Sequence, residues 1–301
     1  MTSIKNVTTA GAGVMGSQVS WMTAWHGKNV TVYDAFEDGI KKGKAFHDTY
    51  GKHFMEKRGA TEAEVNATKA RLRYTTDLKD ALKDADLIIE QVPENMEIKK
   101  ELWKQISELA PQKTIFCTNT SSLLPSEVMK NVDRPERSTT LHFCVNVWEA
   151  NVGEIMMISG TSQATFDTVC EFAKEIGLVP IPIHQEQPGY VLNSLLIPFA
   201  VAALQLLQKG VCTPQYLDRT WRICMEGKIG PAQMIDKMGM NVCYHIAKGQ
   251  GDAGNKEMAA LAEYLKTEFI DKGKTGLLAG EGYYTYPNPE FEKTDFLYPK
   301  N

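Results

Sequence analysis

Between Asn6 and Ser17 the chain reads Asn-Val-Thr-Thr-Ala-Gly-Ala-Gly-Val-Met-Gly-Ser, an apolar run that passes straight into G-x-G-x-x-G and then into helix-compatible sequence. Few short segments constrain a fold as strongly. Gly11 permits a tight turn, Gly13 lets a pyrophosphate touch the backbone, and Gly16 lets the new helix pack closely on the preceding strand. The intervening Ala12, Val14 and Met15 complete a loop whose N–H groups, at a helix N-terminus, face the phosphates. A second strand-like run, Val30-Thr31-Val32-Tyr33, ends in Asp34, at about the distance beyond Gly16 where an acid meets the ribose hydroxyls of a dinucleotide. No Arg follows Asp34 closely, which favours NAD(H) over NADP(H). Methyltransferases that use S-adenosylmethionine share a glycine-rich loop and a strand-end acid, but the third glycine with its immediate helix favours a dinucleotide.

The rest of the first 185 residues alternates helix and strand patterns. Asp86 to Val92 reads as a buried strand, Met96 to Leu109 as a helix and Thr114 to Thr118 as a strand. Ser138 to Cys144 and Gly153 to Ser159 read as strands around His142, Phe166 to Ile176 as a helix and Val179 to Ile183 as a last strand. Such alternation predicts an α/β fold, a doubly wound parallel sheet. A helical hairpin is expected as an insertion, Gly39 to Arg58 and Thr61 to Arg73, with Thr61 and Glu64 forming a capping box. It carries many Lys and Arg, read either as a solvated surface or as a basic arm for a phosphorylated ligand. Beyond Gln187-Pro188-Gly189 the pattern turns helical: Tyr190 to Gly210, Thr213 to Met225, Ala232 to Lys248 and Lys256 to Asp271. The expected domains are 1–185, binding NAD, and 186–301, an all-α substrate and dimerisation domain. The Val191 to Val201 stretch is too apolar all round for a surface helix, which predicts burial in a helical core or a subunit interface.

Composition excludes several classes. The net charge of −4 gives no reason to expect nucleic acid or a membrane surface as partner. No apolar window approaches a membrane span, and with no basic-then-apolar pattern before the first strand neither secretion nor organelle import is expected. The six cysteines are scattered without a C-x-x-C pair, so no metal site is expected and the thiols read as reduced. The expected location is the cytoplasm.

A dinucleotide fold states what is bound and leaves the reaction open. Hydride transfer from an alcohol needs a base for the hydroxyl proton and a group that orients the base. His142, in Thr140-Leu141-His142-Phe143, is the candidate base, and a hairpin-like return would bring Glu154 of the next apolar segment to it. A strand-end histidine is also a common structural residue.

With these stretches in view, the chain resembles the L-3-hydroxyacyl-CoA dehydrogenase family, which includes bacterial 3-hydroxybutyryl-CoA dehydrogenases. The resemblance spans essentially the whole length. It rests on Gly11–Gly16, Asn119-Thr120-Ser121-Ser122-Leu123, Leu141-His142-Phe143 with Glu154, Pro188-Gly189-Tyr190-Val191-Leu192-Asn193, Gly230-Pro231 and Gly280-Glu281-Gly282-Tyr283-Tyr284. It implies His142 as acid/base, Glu154 as its orienting partner, Ser121 as a hydrogen-bond donor to the substrate oxygen, and Asn193 as a further group reaching the substrate. It implies Glu94 and Lys99 near the cofactor and the substrate entrance, and Lys52 and Lys57 on a basic arm holding a CoA moiety. Against these stand plainer readings: Ser121 as a turn hydroxyl, Asn193 as a helix cap, Glu94 as a surface acid and Lys99 as a solvated helix residue.

The implied function is NAD-dependent interconversion of 3-hydroxyacyl-CoA and 3-ketoacyl-CoA in fatty-acid or butanoate-type metabolism, by a homodimer formed through the helical domain. Departures from the family pattern put the substrate in question. Val145 stands where the family has Asn, with Asn146 next to it; Trp148 and Glu149 replace smaller apolar and Pro residues; and Leu278-Ala279-Gly280 replaces a Lys-Thr-Gly, with Lys274 nearby. A dehydrogenase of a free 3-hydroxy acid or sugar acid, gulonate-dehydrogenase-like, and a non-catalytic NAD(H)-binding protein stay open as alternatives.

Overall fold

A computed structural model of the chain describes residues 1–299 and divides it into two compact units, Met1–Val191 and Leu192–Asn301. The last residues before the division are hydrogen-bonded into the first unit, Val191 N–H to Glu154 Oε1 at 2.9 Å and Tyr190 OH to the Thr120 carbonyl at 2.9 Å.

The first unit begins β1 (Asn6–Ala10), α1 (Val14–Trp25), β2 (Asn29–Tyr33), α2 (Glu37–Arg58), α3 (Glu62–Ala70) and β3 (Leu72–Thr75). It continues α4 (Leu78–Leu82), β4 (Leu87–Glu90), α5 (Met96–Leu109), β5 (Ile115–Thr118), α6 (Pro125–Val128) and β6 (Ser138–Thr140). These strands form a six-stranded sheet in the order β3-β2-β1-β4-β5-β6, every neighbouring pair parallel. Strand order reverses at β1, which pairs with both β2 and β4, and a crevice for a ligand opens at the carboxyl ends of the strands at such a point. Both faces of the sheet are covered, which explains the continuous apolar run of β4. Leu87 and Ile89 enter a core with Val19 and Trp21 of α1, while Ile88 faces Leu102, Trp103 and Ile106 of α5.

A second, three-stranded sheet follows, built from β7 (His142–Phe143), β8 (Val152–Met156) and β9 (Val179–Ile183), with α7 (Gln163–Glu175) between the last two. The expected single strand at 138–144 is therefore two short strands that serve different sheets. Leu141, fully buried, is the residue between them, and the switch turns His142 toward β8 instead of the parallel sheet.

The helical hairpin is present, with the Thr61–Glu64 capping box formed and Gly59 in the left-handed conformation that closes α2. Its second helix ends at Ala70, not Arg73. Leu72–Thr75 pairs in register with Val30–Tyr33, because the exposed edge of β2 and the apolar Leu72 and Tyr74 gain more from that ladder and from packing on Val30 and Val32 than from one further helical turn.

The second unit contains α8 (Leu192–Gln208), α9 (Pro214–Cys224), α10 (Pro231–Met238), α11 (Met240–Asp252) and α12 (Lys256–Leu265). The expected helix over Ala232 to Lys248 is two helices. Gly239 between them has φ +88°, a conformation that ends a helix and that only glycine adopts at little strain. Gly230 opens α10 with no side chain to cap it, and Asp218 of α9 does so from outside, accepting from Ala232 N–H at 2.7 Å and Gln233 N–H at 3.3 Å. No helix among the described residues is long and apolar enough to cross a membrane.

Candidate active site

The glycine loop joins β1 to α1 at the point where strand order reverses. Gly11 has φ +114°, and a Cβ there would lie 2.6 Å from the Gln91 carbonyl oxygen; a Cβ on Gly16 would lie 1.9 Å from the Gly11 carbonyl oxygen. Over Gly13 the space is open, and as N-cap it offers no side chain to the first N–H groups of α1. Unsatisfied donors beside open space at a helix N-terminus fit a pyrophosphate. Asp34, just past β2, is held from two sides: its Oδ2 accepts from Ala12 N–H at 2.9 Å and its Oδ1 from Phe36 N–H at 3.1 Å. Gly39 of α2 lies against that carboxylate so closely that a Cβ would come 2.4 Å from Oδ1. The loop and the acid are thus one pre-set unit, suited to the phosphates and ribose of a dinucleotide.

His142 and Glu154 are register partners across β7 and β8. The His142 Nδ1 lies 2.8 Å from Glu154 Oε2, and its Nε2 lies 2.9 Å from Ser121 Oγ. A carboxylate accepts only, so Nδ1 carries the proton and Nε2 is left as the acceptor for the Ser121 hydroxyl. The Tyr190 ring stacks on the imidazole at 4.3 Å between centroids and 11° between planes. Tyr190 itself sits at φ +55°, strained for a bulky residue, and burial pushes its hydroxyl well above the usual tyrosine range. One ring nitrogen is therefore oriented by an acid, the other points at the hydroxyl of the exposed Ser121, and one face is covered.

The loop that presents Ser121 is organised by Glu94. Its Oε1 accepts from Thr120 Oγ1 at 2.7 Å, Ser121 N–H at 2.8 Å, Ser122 N–H at 2.7 Å, Ser122 Oγ at 3.1 Å and Leu123 N–H at 3.2 Å. Burial raises the Glu94 carboxyl, but these donors and the Lys99 charge outweigh it and hold the group down to about 2. Lys99 is not a solvated helix residue. It is 1% exposed, with Nζ 2.6 Å from Glu90 Oε1 and 3.3 Å from Glu94 Oε2. Glu90, fully buried at the end of β4, also accepts from Val92 N–H at 2.9 Å and from Thr118 Oγ1 at 2.7 Å. Burial pushes its carboxyl up, and the Lys99 ammonium opposes that.

The segment after His142 is clamped from three directions. Asn119 Oδ1 accepts from Phe143 N–H at 2.8 Å, Gln18 Oε1 of α1 accepts from Asn146 N–H at 2.8 Å, and Arg58 donates to the Trp148 carbonyl at 3.2 Å. The Trp148 ring packs among Tyr50, His53 and Phe54 of α2. Val145, in the family's Asn position, is 61% exposed, and Asn146 bends the chain at φ +63°. The amide that steadies the backbone beside His142 comes from Asn119.

Lys52 and Lys57 are exposed on α2. In the second unit, Asn193 is half-buried inside the first turn of α8 and so is not its N-cap. There Lys274 pairs with Glu281 at 2.6 Å, and Leu278 is fully exposed. The first unit thus brings together His142, Glu154, Ser121, Glu94 and Lys99, and separately the glycine loop with Asp34. Sequence reasoning passed over Glu90, Gln18, Tyr190 and the role of Asn119. For Glu90 a signal existed: an acid closing the apolar run Leu87-Ile88-Ile89 needs a partner, and Lys99 follows on the next helix.

Residues 6–187 match the family described as 3-hydroxyacyl-CoA dehydrogenase, NAD binding domain, and residues 189–286 match its C-terminal domain. The cofactor is accordingly NAD. A probable 3-hydroxyacyl-CoA dehydrogenase of Caenorhabditis elegans is 31% identical over 95% of this chain and 94% of its own length. The solved structure of a diketoreductase, described as acting on dicarbonyl compounds, is 41% identical with a TM-score of 0.90, covering 95% of this chain and all of that one. A (S)-3-hydroxybutyryl-CoA dehydrogenase from Ralstonia eutropha is 27% identical with a TM-score of 0.83, over 95% of this chain and all of that one.

Proposed function

We propose, from the premise that this chain belongs to the 3-hydroxyacyl-CoA dehydrogenase family, that it interconverts a 3-hydroxyacyl-CoA and its 3-keto form with His142 and Glu154 as the acid/base pair. The observation that carries the reading is the imidazole bridging Glu154 at Nδ1 and the Ser121 hydroxyl at Nε2. When bound by the glycine loop and Asp34, NAD would supply the hydride acceptor for oxidation at the substrate's C3 and, as NADH, the hydride donor for reduction. In the oxidative direction His142 takes the hydroxyl proton on Nε2, and Glu154 holds Nδ1–H and balances the imidazolium that results. In reduction the same Nε2–H delivers the proton. Ser121 hydrogen-bonds the reacting oxygen, and Tyr190 covers the imidazole face and keeps it in plane.

Asn193 is assigned to the substrate on family resemblance alone, and Lys52 and Lys57 to the CoA phosphates on resemblance and exposure. Fatty-acid or butanoate-type metabolism in the cytoplasm and a homodimer through the helical unit belong to the same proposal; exposed Leu195, Val211 and Met225 on that unit support the dimer.

A second reading has support of its own. The 41% identity to a diketoreductase over 95% of the chain favours a soluble dicarbonyl compound, with the same proton chemistry and no CoA. NADH oxidation measured across acetoacetyl-CoA, longer 3-ketoacyl-CoAs, free 3-keto acids and simple diketones separates the two. Turnover of the thioesters at far lower KM supports the leading reading, and turnover confined to the free compounds overturns it.

A further inference from the structure

Three charged groups form a line from the end of β4 to the serine loop, with Glu90 and Lys99 buried and Glu94 reaching the surface. Glu90 Oε1 holds Lys99 Nζ at 2.6 Å, and Lys99 Nζ reaches Glu94 Oε2 at the looser 3.3 Å. Glu94 then gives its other oxygen wholly to the Thr120–Leu123 loop. The loop's Ser121 ends the line at His142 Nε2. Glu90 is fixed independently of that loop, by Val92 N–H and Thr118 Oγ1.

The unequal distances matter. An ammonium with two carboxylates in reach, one buried in a medium of low polarity and one partly exposed to water, settles on the buried one, where the attraction is least screened. Here that is Glu90, so Lys99 lies back against β4 and Glu94 is left to the loop. If Glu90 loses its charge, Lys99 has only Glu94 as counter-ion and draws that carboxylate toward itself. The hydrogen bonds that set Ser121 against His142 would loosen in turn. We infer that Glu90 is a positioning residue for the reaction: it retains Lys99 so that Glu94 can order the loop that presents Ser121 to His142.

This rests on the proposed role of Ser121, and the test is built in two parts so that the two ideas fail separately. The first needs no turnover. In Glu90→Gln, which keeps the size and most hydrogen bonds of the side chain, amide exchange at Ser121, Ser122 and Leu123 should rise at least tenfold, with Ile88 and Ile89 unchanged. Unchanged exchange at the loop overturns the inference whatever the substrate proves to be. The second is a double-mutant cycle on kcat. Glu90→Gln should lower kcat about tenfold or more with the KM for NADH nearly unchanged, since small misplacements of reacting groups are costly. In a Ser121→Ala background it should have almost no further effect. An equal loss in both backgrounds means that Glu90 acts elsewhere and overturns the inference. Should Glu90→Gln fold poorly, Glu90→Asp draws the carboxylate back from Lys99 and must raise the same loop exchange, and unchanged exchange there overturns the inference.

Discussion

His142 and Glu154 face each other as direct partners in the β7–β8 ladder, with Nδ1 and Oε2 2.8 Å apart. Backbone pairing thus fixes the geometry of the proposed acid/base pair, and both side chains take their position from strands. Ser121 differs, since it reaches His142 from a loop held by one carboxylate.

Replacing His142 by Gln should lower kcat by about a thousandfold, the range general acid/base groups supply, while NADH binding followed by fluorescence changes little. Glu154→Gln should lower kcat by about a hundredfold through loss of the oriented tautomer. An unchanged rate in His142→Gln removes it as the acid/base.

Gly39→Ala is a test of cofactor binding from outside the glycine loop. A Cβ there would lie 2.4 Å from the Asp34 carboxylate, which must swing away from its Ala12 and Phe36 donors. The Kd for NADH should rise about tenfold or more, the equivalent of ~1.4 kcal/mol, in a fluorescence titration, with the unfolding midpoint nearly that of the unmodified chain.

The pH dependence of the serine loop follows from Glu94. Its carboxyl lies at about 2 in the fold against an ordinary 4.5, so its stabilisation is fully present above about 4.5 and fades as the pH falls toward 2. Amide exchange at Ser121–Leu123 should accelerate through that window beyond the trend of other loops. In Glu94→Gln the loop should already be loosened at neutral pH and should show no such extra acid step.

Trp148→Ala should destabilise the first unit by about 3 kcal/mol, typical of removing a large buried aromatic. The ring fills a pocket formed by Tyr50, His53 and Phe54, and its loss frees the segment that follows His142. Urea unfolding checks the first effect. A raised KM for the keto substrate with NADH binding retained checks the second.

Much of this site is legible in the sequence, and particular residues show where legibility stops. The loop Gly11–Gly16 and Asp34 are local: Gly11 and Gly16 answer to steric demands of their own turn or of the adjoining strand, and Gly13 leaves open space at the helix N-terminus. The pairing of His142 with Glu154 is readable because two strands joined by a short return bring such residues together. By contrast Leu72–Thr75 carries no decisive periodicity, and it becomes a strand only because β2 offers an edge. Lys99 looks like any polar residue of an amphipathic helix until Glu90 is placed beneath it.

The sequence by itself determined the two-part organisation, the NAD loop and the pairing of His142 with Glu154, since these rest on short-range sterics, strand periodicity and nearby residues. The tertiary structure alone decided that Glu94 orders the serine loop, that Lys99 is buried between two carboxylates, and that Tyr190 covers His142. Those contacts join residues from different strands and helices. Burial then sets their strength, because a charge or a ring removed from water must take its partners from whatever the fold has packed around it.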